Sequence, residues 1–131
     1  IEEEKLAHDV YQKMYELWGA KTFSNIMNSE TTHQNRVLTL LQDRDIADPR
    51  SSEVGVFQNQ DLQALYDKLV AQGSQSLTEA YKVGVTIEEV DIADLTADLK
   101  LVDANDTDVI AVLNALKRGS ENHLRAFSRH V

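Results

Sequence analysis

Two histidines each follow a polar residue by three positions inside apolar helical patterns: Glu30-x-x-His33 and Ser120-x-x-His123. A three-residue step places side chains on adjacent turns of one helix face, so Glu30 and His33 can offer a carboxylate and an imidazole to the same cation. Phe23, Ile26, Met27, Val37, Leu40 and Leu41 form a stripe whose gap Glu30 and His33 fill, so both should point inward. An ionised glutamate in a dry core is costly unless it is paired or coordinated, and its presence there calls for a partner.

Three other segments do the same. His123 lies on the face of Val109, Val112, Leu113, Leu116, Leu124 and Phe127, with Ser120 one turn before it. Glu88 occupies the middle of the stripe Leu77, Tyr81, Gly84, Ile92, Leu95 and Leu99, with Asp91 on its flank. In the first segment Glu3 continues the row Leu6, Val10 and Leu17, whereas Glu4 continues Ala7, Tyr11, Met14 and Trp18, and periodicity leaves both open. Converging buried acids repel one another, so the joint pattern predicts a bound cation. Tyr11, two turns from Glu4, should be a core residue whose hydroxyl meets a carboxylate. His8 and His130 are expected to face solvent, and Tyr15 and Tyr66 to pack.

The elements that position these groups follow from apolar spacing and its punctuation. A first helix runs to about Trp18 and stops at Gly19. A second, with Thr22 or Ser24 as N-cap, fades near Asp43. DRDIADPRSSEVGVFQN then reads as a loop, and DLQALYDKLVAQG as a short amphipathic helix closed by Gly73. A third long helix opens at Ser74 or Ser76 and reaches about Leu99; a fourth opens at Asp106 and reaches about Phe127. The expected architecture is one all-α domain over residues 1–131: a four-helix bundle with a long crossover, containing a short extra helix, between its second and third main helices.

Composition narrows the chemistry. The chain has no cysteine, which excludes disulfides, iron-sulfur clusters and thiolate zinc sites, so any metal must be held by oxygen and imidazole nitrogen. A formal net charge of -9 argues against nucleic acid and anionic membranes as partners. No apolar run approaches the roughly 20 residues that span a bilayer. A soluble protein is expected, cytoplasmic or exported after removal of an upstream segment, with a homodimer compatible with the pattern.

The phrases EEEKLAHDVY, FSNIMNSETTH, LYDKLVAQGSQSLTEAYKVGVTIEEVDIADL and RGSENHLRAF, in this order, resemble the ferritin-like superfamily of dimetal carboxylate proteins. They resemble most closely a domain-of-unknown-function family related to rubrerythrin and erythrin. The resemblance covers essentially the whole chain. It aligns Glu4, Ala7 and Tyr11 with the Glu, small residue and Tyr of the first helix of such proteins, which favours Glu4 over Glu3. It also maps Glu30 and His33, Glu88, and His123 onto ligand positions. The usual second Glu-x-x-His appears here as Ser120-x-x-His123, removing one bridging carboxylate. Asp91 is then either a replacement ligand or the acceptor for a histidine N–H, and Glu3, Tyr11 and Ser120 are supporting residues.

The resemblance implies two metal ions, iron first with manganese or zinc as substitutes, and reaction with dioxygen or hydrogen peroxide as a peroxidase, oxidase or ferroxidase. With no cysteine-held redox centre, an external electron donor is required. The competing expectation, of a different class, is a non-catalytic helical module that stores or senses metal.

Overall fold

A computed structural model describes residues 1–131 and contains five helices and no strand: α1 Glu2–Trp18, α2 Lys21–Asp43, α3 Gln60–Gly73, α4 Leu77–Leu101 and α5 Thr107–Ser128. Gly19 makes the first reversal. It adopts the left-handed conformation (φ 66°), which costs glycine no Cβ clash, and donates its N–H to the Tyr15 carbonyl at 2.8 Å. The turn is so short that Ala20 takes the extended N-cap position and α2 is already helical at Lys21. Thr22 and Ser24 are therefore inside the helix and not its cap, contrary to the sequence expectation. Further on, Ser76 does cap α4, accepting the Glu79 N–H at 3.1 Å, and the Asn59 side chain caps α3. Asp106 stands at the N-cap of α5 without a side-chain capping bond.

α1 packs along α2 and α4 along α5; the two pairs meet through α2 with α5 and α1 with α4. α3 lies against α1 and α4, inside the long connection that begins after α2. The buried core is built from Leu6, Val10, Tyr11, Met14, Phe23, Ile26, Phe57, Leu69, Tyr81, Val83, Ile87 and Phe127. At its centre the Tyr11 ring lies 5.1 Å from that of Phe127 and 6.2 Å from that of Phe23. The stripe residues further along, Val37, Leu40, Leu41, Val109, Val112 and Leu113, are only half-buried. Tyr15 does not pack inward as expected: it is 41% exposed.

The connection is fastened to α1. Lys5, itself buried, donates to the main-chain carbonyls of Glu53 at 2.9 Å and Val56 at 3.0 Å, and the Gly55 N–H donates to Asp9 Oδ2 at 3.0 Å. Phe57 is buried beneath the Lys5 ammonium, 4.3 Å from its ring centroid. No helix is long and apolar enough to cross a membrane.

Candidate metal centre

The α1–α2 and α4–α5 pairs meet on a small set of buried polar side chains. From α2 comes Glu30, 1% exposed; from α4, Glu88, 0% exposed; from α5, His123, 7% exposed. One ligating atom of each lies within 4.8 Å of the others. His123 Nδ1 stands 3.1 Å from Glu30 Oε1 and 3.2 Å from Glu88 Oε1, while its other nitrogen, Nε2, faces Ser29 Oγ at 3.0 Å. His33 lies one turn after Glu30 with Nδ1 3.4 Å from Glu30 Oε2, and its ring stacks on that of His123 at 5.7 Å between centroids. The Tyr11 hydroxyl donates to Glu88 Oε1 at 2.9 Å.

Not every polar atom is satisfied. Glu88 Oε2 and Glu3 Oε1 are buried without a hydrogen-bond partner, and Glu30 Oε1 has only the His123 Nδ1 that Glu88 Oε1 also faces. Each such atom carries a desolvation cost of roughly 1–3 kcal/mol, and more when ionised. The electrostatics reflect this crowding. Burial alone would push His123 down, but the Glu30 and Glu88 carboxylates override it and hold the imidazolium up to about 9. Burial likewise works to raise Glu30, and is outweighed by the two histidines, so that carboxyl is lowered. Burial and the Glu30 charge keep Glu88 raised despite His123, and desolvation with three nearby acids holds the Tyr11 phenol protonated well above its usual range.

The remaining residues named from sequence are distributed around this trio. Asp91, one turn after Glu88, is buried; burial, a hydrogen bond with Glu3 and the Glu88 charge push its carboxyl far up. Glu3 is itself raised to about 7, chiefly by burial, with Asp94 and Glu4 adding repulsion. Glu4 is buried on α1, outside the trio. Glu3 lines a cavity together with Asp91 and Asp94 of α4. Ser120 is buried on the His123 face of α5 and offers no carboxylate. Of the two histidines expected to face solvent, His130 is exposed, its ring 4.3 Å from that of Tyr81, whereas His8 is half-buried with Nδ1 3.0 Å from Asp9 Oδ1.

The family model described as "Uncharacterized protein domain (DUF2202)" matches residues 1–131. The chain belongs to the DUF2202 family. Among relatives of this DUF2202 chain, "Uncharacterized protein MJ0754" of Methanocaldococcus jannaschii is 46% identical over 129 residues, spanning 98% of this chain and 69% of that protein. The crystal structure of hypothetical protein MJ0754 from Methanococcus jannaschii superposes with a TM-score of 0.94, covering 98% of this chain and 73% of that one. The all-helical fold of the DUF2202 chain thus has a solved counterpart.

Two residues that serve the centre were not singled out from sequence. Ser29, adjacent to Glu30, fixes the outer nitrogen of His123. Gly119 makes room for His33: a Cβ there would lie 2.5 Å from both Cε1 and Nε2 of the imidazole. A signal for Gly119 did exist, because a glycine inside a helix costs about 1 kcal/mol relative to alanine and so points to a close approach.

Proposed function

We propose that this DUF2202 chain is a ferritin-like four-helix-bundle protein whose buried carboxylate–histidine centre holds iron and reacts with dioxygen or peroxide. The observation that carries this reading is a buried trio in which one histidine nitrogen is shared by two carboxylates and Glu88 Oε2 has no partner at all. A cation is the partner that satisfies such atoms. Donors that are oxygen and imidazole nitrogen suit iron, manganese or zinc.

Glu30, Glu88 and His123 would hold one ion; His33, against Glu30, and Asp91, one turn from Glu88, flank a second position. When bound, the metal supplies Lewis acidity and redox capacity. The chain's own residues set the conditions for it. With a metal bound, His123 would be neutral, giving its Nε2–H to Ser29 Oγ and turning its Nδ1 lone pair toward the two carboxylates. Tyr11 donates to Glu88 and so fixes the direction of its carboxylate. The surrounding core excludes water and strengthens every charge interaction inside. The raised carboxyls of Glu3 and Asp91 would hold a proton one turn from Glu88. Electrons for repeated turnover come from an external donor.

The test is ferrous loading of metal-free protein without air, followed by air or peroxide. One to two irons per chain and oxidation much faster than in Glu30→Ala are expected. Bound iron that stays unreactive would support the storage or sensing module, and absence of any bound metal would leave the trio as a plain salt-bridge cluster.

A further inference from the structure

Outside the centre, α2 and α5 border a cavity of about 350 Å³, within the range of small-molecule sites. Its polar lining comes from Ser29, Thr32, His33, Arg36, Arg118 and Asn122, and no acidic residue takes part. That is unusual on a chain with a formal charge of -9. Neither Arg36 nor Arg118 makes an ion pair or a side-chain hydrogen bond, whereas Arg44 and Arg50 are both paired with aspartates. Arg125 donates to the Asn122 carboxamide oxygen, leaving the Asn122 NH₂ free to donate and adding a third positive charge beside the cavity. Two of its lining residues touch the centre: Ser29 Oγ lies 3.0 Å from His123 Nε2, and His33 Nδ1 lies 3.4 Å from Glu30 Oε2.

We propose that this cavity binds a small oxyanion, a carboxylate or a phosphate, at the mouth of the buried centre. Two guanidinium forks recognise planar or tetrahedral oxyanions by paired charge-assisted hydrogen bonds, and the one acid nearby, Glu121, lines the adjoining depression with Arg118, Asn122 and Arg125 and not the cavity itself. The Asn122 amide and the outward nitrogen of His33 complete a set of donors. An anion seated here would lie against the His33 ring, one side chain from Glu30, so the site would gather negatively charged molecules beside the centre. The inference extends the metal reading without depending on it, since the cavity's donors need no metal.

The metal-free protein, residues 1–131, is titrated with inorganic phosphate and, separately, with succinate, at constant ionic strength set by chloride, and binding is read by calorimetry. Saturable binding of at least one of the two is expected, and which one binds tells phosphate from carboxylate. Arg36→Gln and Arg118→Gln, at exposed positions, should each weaken it by about tenfold, as loss of a charge-assisted hydrogen bond predicts, while Arg129→Gln, with the same charge change, leaves it unaltered. No saturable binding of either oxyanion at millimolar concentrations, or equal weakening by all three substitutions, would overturn the proposal. Iron content of the same variants is measured in parallel: retained iron with lost anion binding separates the cavity from the centre.

Discussion

Lys5 with Asp9, and Glu30 with Glu88 and His123, both bury ionisable side chains, but they differ in how completely those side chains are partnered. Around Lys5 the count closes. Its ammonium meets Asp9 Oδ2 at 2.7 Å and two main-chain carbonyls, and Asp9 also accepts from Gly55 and faces His8. In the trio one imidazole nitrogen is shared between two carboxylates, and Glu88 Oε2 finds no donor. A closed set of charges behaves as a structural fastening, while an open one is suited to receive something.

The sharpest way to break this comparison is to open the closed cluster. Asp9→Ala leaves the Lys5 ammonium buried without its counter-ion and should cost about 3 to 5 kcal/mol, read from urea unfolding midpoints. In the trio the corresponding change should do much less. Glu88→Gln keeps an acceptor for Tyr11 and removes one of two competing charges, so metal-free stability should move by no more than about 1 kcal/mol. What that variant should lose is the metal response. Ferrous ion at a hundredfold excess over its dissociation constant should stabilise the parent by about 2.7 kcal/mol and the variant hardly at all. Similar losses in the two metal-free variants would erase the distinction.

A smaller effect is expected at Gly119. Alanine gains about 1 kcal/mol of helix propensity, but its Cβ would sit 2.5 Å from the His33 ring. Crowding of this kind costs about 1–3 kcal/mol, so Gly119→Ala should be mildly destabilising and should lower iron content in the same preparation.

Last, the two clusters should respond to pH in opposite directions. The Asp9 carboxyl is lowered from 3.8 in the folded chain: burial opposes this, and His8, Lys5 and Gly55 outweigh it. Its contribution is present above the unfolded value and is lost as pH falls through the lower folded one. His123 is raised from 6.5 to about 9, so its contribution in metal-free protein is complete below 6.5 and disappears as pH rises toward 9. Urea midpoints across both windows, with Asp9→Asn and His123→Gln as references, should show an acid slope lost in the first variant and an alkaline slope lost in the second.

Much of this was legible in the residues. The three- and four-residue apolar steps place all five helices, and the gaps in the stripes give the inward direction of Glu30, Glu88 and His123. Periodicity could not decide between Glu3 and Glu4, because neighbouring positions both border a wide apolar arc; their separate contacts depend on how α1 meets α4. The Thr22 or Ser24 cap was misread since a left-handed Gly19 followed by one extended residue starts α2 without any polar cap. Lys5 and Asp9 sit four apart, as an ordinary surface pair would. Only the fold-back of residues 53–57 onto α1 buries them, and that is a tertiary event with no local signature.

That fold-back also bears on the order in which the molecule assembles. The bonds from Lys5 and Asp9 to Glu53, Gly55 and Val56 join positions 46 to 51 residues apart. A loop of that size must close before any of them forms, so the entropy of closure is met first and the bonding energy arrives afterwards. The clasp is thus a late event in folding, and weakening it should steepen escape from the native basin while leaving the refolding rate nearly untouched, as chevron kinetics of Lys5→Met would register.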